Sequence, residues 1–174
     1  MGTMFDTSSD PREAFGKLQV EAIAAYGNGS YHNYPQARAE YPHVPVLEID
    51  VTGAGIGDAG DFERFDIPFS QAGRWAKGRI DAGVHRPVVY FSVGNWPAVK
   101  ESLEAAGLHP GDVRIWTAHY TGEPHLCSVE CGFGDKPGDH ADATQWGSAG
   151  IPGTLPPEYD GHNIDVSMTA DNFW

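Results

Sequence analysis

The 174-residue sequence predicts an α/β fold, a compact TIM-like (β/α)8 barrel with shortened or missing helices in its second half. Three observations predict it. Short apolar, β-branched runs recur about eight times, and helix-like segments alternate with them up to residue 107. Beyond that point Gly and Pro recur through 132–138 and 150–157 with no amphipathic stretch between. An ordinary barrel of this type runs to about 250 residues, so this chain has to dispense with several outer helices.

Taken in order, Thr3–Thr7 reads as the first strand and Pro11–Val20 as a helix. Strands are expected at Glu21–Tyr26, Val44–Val51 and Asp58–Glu63. Ser70–Ala82 is a helix, since Trp75, Ala76 and Ile80 return at helical spacing; Ser70 is placed to cap its first turn and Gly83 to stop it. A strand at Pro87–Val93 leads into a helix at Trp96–Ala106, with Val99, Leu103 and Ala106 on one face, Asn95 as cap and Gly107 as stop. Strands at Val113–His119, Ala141–Trp146 and Ile164–Met168 complete the set. No repeat, low-complexity run or linker divides the chain, so one domain is expected over 1–174.

Composition narrows the function. Hydrophobic residues make up 40% and charged residues 20%, as in globular proteins, and no apolar run is long enough to span a membrane. A net charge of −13 with 11 Lys and Arg spread along the chain argues against nucleic acid as a partner. The N-terminus lacks the basic and apolar regions of a secretory signal and fails the myristoylation pattern, which wants Ser or Thr where Asp6 stands. Cys127 and Cys131, with His125 and His140 nearby, admit a zinc reading, but the spacing favours a structural cysteine pair, and neither a metal nor a cofactor is expected. Gly55-x-Gly57-x-x-Gly60 matches the dinucleotide fingerprint in letters only. Acidic residues and Pro68 follow where a helix N-terminus would have to meet a pyrophosphate.

In a barrel the working groups sit at strand ends, so polar residues closing an apolar run are the candidates: Asp6, Asp50, Asp61 with Glu63, Gln145 with Trp146, and Asp165. If their segment is extended, Asp61 and Glu63 leave one face of it with Cβ atoms about 6–7 Å apart. Two crowded carboxylates split their roles. One is held protonated and donates to a glycosidic oxygen; its ionised neighbour stabilises positive charge on the sugar. Glu63 is assigned the first role and Asp61 the second. Tyr90, Trp116, Tyr120 and Trp146 lie near strand ends, where aromatic faces stack on sugar rings or simply pack. His119, beside Tyr120, and His162, beside Asp160, could each serve as a general base, although no nucleophile motif accompanies either.

Six segments follow one another in the order and approximate spacing of glycoside hydrolase family 25, so the chain resembles that family over nearly its whole length. They are Met4-Phe5-Asp6-Thr7-Ser8, Asp61-Phe62-Glu63, Val89-Tyr90-Phe91-Ser92, Ile115-Trp116-Thr117-Ala118-His119-Tyr120, Ala143-Thr144-Gln145-Trp146 and Ile164-Asp165-Val166-Ser167. It looks closest to the actinobacterial and phage glycoside-hydrolase-like branch, whose members also end in Gly-His-x-x-Asp-x-Ser, here Gly161 to Ser167. The resemblance implies a muramidase or endolysin, cleaving the β-1,4 bond between N-acetylmuramic acid and N-acetylglucosamine in peptidoglycan. It implies Glu63 as the acid, assisted by Asp61, Asp6 and Asp165, with the substrate's acetamido group as nucleophile. Tyr90, Trp116, His119, Tyr120, Gln145 and Trp146 are the matching substrate-binding positions. Release by a phage at lysis or a place in a virion would bring such a protein to the wall. The alternatives are a catalytically silent barrel that binds wall glycan or a protein, and a hydrolase of another glycan.

Overall fold

The computed structural model describes residues 1–174 and closes eight strands into a barrel in sequence order. The strands are β1 (Gly2–Asp6), β2 (Ala22–Tyr26), β3 (Val46–Asp50), β4 (Ala59–Asp61), β5 (Val88–Ser92), β6 (Arg114–Ala118), β7 (Ala143–Ser148) and β8 (Asp165–Thr169). The α-helices are α1 (Pro11–Phe15), α2 (Tyr34–Glu40), α3 (Ala72–Asp81) and α4 (Trp96–Ala105); after α4 only 3-10 turns occur. All eight expected strands are present, and the helices stop where the sequence loses its amphipathic pattern.

Four details differ from expectation. The first helix ends at Phe15 rather than Val20, because Gly16 turns the chain with φ 54°. α2 was not foreseen. The caps at Ser70 and Asn95 do not form: Ser70 lies inside a 3-10 turn that leads into α3, and the Asn95 side chain makes no capping bond. The stops at Gly83 and Gly107 do hold, with φ 94° and 74°.

The fourth difference matters most for the site. Strands β1 to β7 run parallel to their neighbours, but β8 runs antiparallel to both β7 and β1. Reversal puts the start of β8 at the same end as the finish of β1, so Asp165 lies opposite Asp6.

Alternation along each strand sorts the side chains. Met4, Ala22, Ala24, Leu47, Ile49, Ala59, Val88, Tyr90, Trp116, Ala118 and Ala143 fill the interior. The alanines leave the volume that Trp116 occupies. Phe173, fully buried, joins this cluster beyond β8, and its carbonyl accepts a 2.7 Å bond from Arg114 at the start of β6. It therefore closes the end opposite Asp6 and Asp165. Outside the barrel, Trp75, Trp96, Val99 and Leu103 of α3 and α4 cover β4 to β6, while Phe15 and Ala37 of α1 and α2 cover β1 and β2. α3 and α4 approach so closely that a Cβ on Gly73 would stand 1.9 Å from the Ser102 carbonyl oxygen. No helix is long and apolar enough to cross a membrane.

Candidate active site

The same alternation aims the last inward residue of several strands into one mouth. Asp6 ends β1, Tyr26 ends β2, Asp61 ends β4, Gln145 projects from β7 and Asp165 begins β8. Gln145 is their hub. Its Nε2 donates to Asp6 Oδ2 at 3.1 Å and to Asp165 Oδ2 at 2.9 Å, while its Oε1 accepts from the phenols of Tyr90 and, at 3.0 Å, Tyr120. The amide orientation matches its surroundings, with the NH2 group on the two carboxyl oxygens and the carbonyl oxygen on the two phenols.

β4 ends at Asp61, so Glu63 is not on a strand as expected. A turn brings the carboxylates together instead. The Ile67 N–H donates to the Asp61 carbonyl at 3.1 Å and the Asp66 N–H to the Glu63 carbonyl at 3.3 Å. Carboxylate oxygens of Asp61, Glu63 and Asp66 all lie within 4.8 Å of one another. Asp66 is thus a third member that the two-residue spacing did not reveal. Asp61 is buried and its Oδ1 has no hydrogen-bond partner in the protein.

These groups hold protons more tightly than usual. Burial, followed by the charges of Asp165, Asp61 and Glu63, pushes Asp6 well above the ordinary carboxylate range against the pull of Gln145. Burial, then Glu63 and Asp66, does the same to Asp61. Glu63 is raised by burial, then by Asp66 and Asp165, and Asp165 chiefly by burial. Low-dielectric walls and mutual repulsion thus raise the proton affinity of all four carboxyl groups at the mouth.

The aromatic positions divide. Trp116 is 1% exposed, packed on Tyr90 with centroids 4.5 Å apart, and donates its indole N–H to Ser167 Oγ at 3.0 Å. Trp146 alternates outward from Gln145 and packs with Phe5, Phe15 and Ile164. Neither offers a face to a sugar, a correction to the stacking expected of them. Tyr90 is buried with its phenol committed to Gln145, and Tyr120 is half-buried at the rim. Exposed rings stand elsewhere: Phe65, 88% exposed between Glu63 and Asp66, and Tyr31, against Tyr26 with centroids 5.4 Å apart. His119 Nδ1 lies 3.0 Å from His125 Nε2, and His162 Nδ1 lies 2.7 Å from the Ala14 carbonyl, so both Nδ1 atoms are engaged away from the carboxylates.

Asp50, the remaining strand-end acid, belongs to the scaffold. It faces outward from β3, fully buried, and accepts from Trp75 Nε1 at 2.9 Å and Asn28 Nδ2 at 2.7 Å. Backbone N–H groups of Thr52, Gly53, Ala54, Gly55 and Ile56 also converge on it. Positive φ at Gly53, Gly55 and Gly57 lets the chain coil round the carboxylate. The dinucleotide-like glycines are an anion nest whose anion is the protein's own side chain. Burial alone would raise Asp50; Asn28, Trp75 and the Gly55 and Thr52 N–H groups outweigh it and hold the carboxyl at about 2.

With this geometry in view, the comparison with solved structures is informative. Over 97% of its length the chain superposes on 87% of a glycosyl hydrolase 25 of Streptococcus pneumoniae, described as a virulence factor participating in host cell invasion. The TM-score is 0.57 and the sequence identity 11%. The barrel resembles a glycosyl hydrolase 25. At that identity the likeness concerns the fold. No protein-family model matches the chain, and no curated protein matches it.

Proposed function

We propose that this barrel is a glycoside hydrolase of the muramidase type, cleaving the β-1,4 bond between N-acetylmuramic acid and N-acetylglucosamine in peptidoglycan. The observation that carries the reading is the convergence of Asp6, Asp61, Glu63 and Asp165 at one barrel mouth, each with raised proton affinity. Glu63 is the best-placed acid, because it is half-buried and so reachable, whereas Asp6 and Asp61 lie deeper.

In this mechanism Glu63 gives its proton to the glycosidic oxygen as the bond to the anomeric carbon breaks. Positive charge develops on the N-acetylmuramic acid ring that keeps the anomeric carbon, while N-acetylglucosamine leaves with the proton. Asp61, with its unpartnered Oδ1, faces that charge or the acetamido group that attacks the anomeric carbon, and gains affinity for it as the charge grows. Water, deprotonated by the Glu63 carboxylate, then adds to that carbon and restores the acid. Asp6 and Asp165, tied together by Gln145, line the floor of the mouth as a fixed polar network. Tyr120, half-buried at the rim and held by Gln145 beneath it, is the polar contact for the sugar, and Phe65 and Tyr31 supply the exposed ring faces. Glycan hydroxyls and amides carry no charge, so a chain of net charge −13 can bind them.

Purified peptidoglycan incubated with the protein tests the reading. New reducing ends are expected from the wild type and none from Glu63→Gln. Saturable binding without products would assign a silent glycan-binding module, and release from chitin alone another glycan. A phage lysin or virion component is the setting we propose for such an activity.

A further inference from the structure

The connection between β6 and β7 runs from His119 to Asp142, 24 residues without an α-helix, beside the candidate mouth. Four side chains of different types meet in it. The ligand atoms of His119, His125, Cys127 and Cys131 all lie within 4.8 Å of one another. His119 Nδ1 is 3.0 Å from His125 Nε2, which is 3.7 Å from Cys127 Sγ, and both cysteines are free thiols. We propose that these four residues form a structural site for zinc or a comparable soft divalent cation.

The distances suit such an ion. Around a tetrahedral zinc with Zn–N of about 2.0–2.1 Å and Zn–S of about 2.3 Å, ligand atoms stand about 3.3–3.8 Å apart. The 3.0 and 3.7 Å separations stand close to that range, and no pair exceeds it by more than about 1 Å.

A second observation concerns the tautomer of His125. Its Nδ1 lies 2.8 Å from the Glu123 carbonyl, which accepts only from an N–H. The proton therefore sits on Nδ1, and Nε2 keeps its lone pair toward His119 and Cys127. A ligating histidine held by a backbone carbonyl through its other nitrogen is the usual outer support of a metal site.

The backbone around the cluster is fixed by the barrel. The Cys127 N–H donates to Thr144 Oγ1 at 2.8 Å, the Ala141 N–H to the Cys127 carbonyl at 2.8 Å, and the His119 N–H to the Gln145 carbonyl at 2.9 Å. His140, the partner that spacing suggested, is not in the cluster; it bridges Ser128 through its backbone, and its Nδ1 faces the Ala141 carbonyl.

Binding releases the two thiol protons to solvent, and two thiolates then balance the dipositive ion. Four protein ligands fill the coordination sphere, which leaves no position for a catalytic water. The ion pins a long loop, and through His119 it fixes the neighbouring Tyr120, whose phenol bonds Gln145.

The test uses the full chain purified under reducing conditions, loaded with zinc, gel-filtered and analysed for metal. One equivalent is expected, with a melting temperature roughly 5–10 °C above the chelator-treated protein at saturating zinc. Cobalt(II) in place of zinc should show tetrahedral ligand-field bands and thiolate charge transfer. Cys131→Ser and His125→Ala, both at partly exposed loop positions, should lose the metal while near-ultraviolet circular dichroism shows a folded barrel. Glu63→Gln should keep it, which separates this site from the carboxylates. No retained zinc, full stoichiometry in both loop variants, or a Cys127–Cys131 disulfide forming quantitatively in the presence of zinc would overturn the proposal.

Discussion

Replacing Asp50 by Asn tests the claim that the glycine-rich loop is organised by a carboxylate. A carboxyl held at about 2 in the folded protein, against about 3.8 when free, stabilises the fold by about 2 kcal/mol at neutral pH. The amide keeps the shape but replaces one acceptor oxygen with a donor. That donor faces the Gly55 and Ile56 N–H groups, or the Asn28 and Thr52 side if the amide flips. Stranded donors add to the loss. We expect Asp50→Asn to be about 2–3 kcal/mol less stable at pH 7, or roughly 5–10 °C lower in melting temperature for a chain of this size. The sign with pH is set by the lowered value. Stability from Asp50 is complete above pH 4 and is lost as pH falls through about 2, so the gap between wild type and variant should narrow between those limits to the part left by the stranded donors. Thermal melts of both proteins from pH 7 to pH 2.5 measure this. Equal stability at pH 7, or a gap that does not change with pH, would refute the nest.

The mouth carboxylates predict the opposite sign. Burial and repulsion raise Asp61, so its ionisation opposes folding, and Asp61→Asn should gain a few degrees of melting temperature at pH 7, a gain that shrinks as pH falls toward 4 while glycan cleavage is lost. Because Glu63 must be protonated to act, cleavage should fall as pH rises through its raised value, and Glu63→Gln should lower kcat by at least about 100-fold at every pH. Phe65→Ala removes an exposed ring and should change stability by less than about 0.5 kcal/mol while raising the KM for glycan; an unchanged KM removes Phe65 from the binding surface. At Gly57 a Cβ would meet the Glu48 carbonyl oxygen at 2.5 Å with φ at 64°, whereas at Gly55 the space is open; Gly57→Ala should therefore unfold at distinctly lower denaturant than Gly55→Ala.

The barrel was legible because each strand is a short apolar run whose alternation survives burial, as in Met4-Phe5-Asp6 and Val89-Tyr90-Phe91. Strand direction was not. Alternation reads the same both ways, and a helix-free connection does not decide it: β3 to β4 and β6 to β7 return parallel without an α-helix, while β7 to β8 reverses. α2 escaped notice because only Ala37 of its seven residues is buried, too little for a period to show. Asp6, Asp61 and Gln145 were candidates from strand ends alone, whereas Asp165 begins its strand and reaches the same mouth only because β8 is reversed, and Asp66 joins through a turn. Trp116 and Trp146 sit one step inside and one step outside the barrel wall, a distinction the register of β6 and β7 decides. His119 and His140 exchange places as neighbours of the cysteines for the same reason.

Which bond the mouth breaks is recorded in the ends it leaves. Cleavage between the anomeric carbon of N-acetylmuramic acid and the N-acetylglucosamine oxygen leaves N-acetylmuramic acid at every new reducing end. Borohydride reduction of the digest followed by mass spectrometry should find reduced muramic acid from the wild type and none above background from Glu63→Gln. Reduced glucosamine ends, or equal product from the two proteins, would contradict that cleavage.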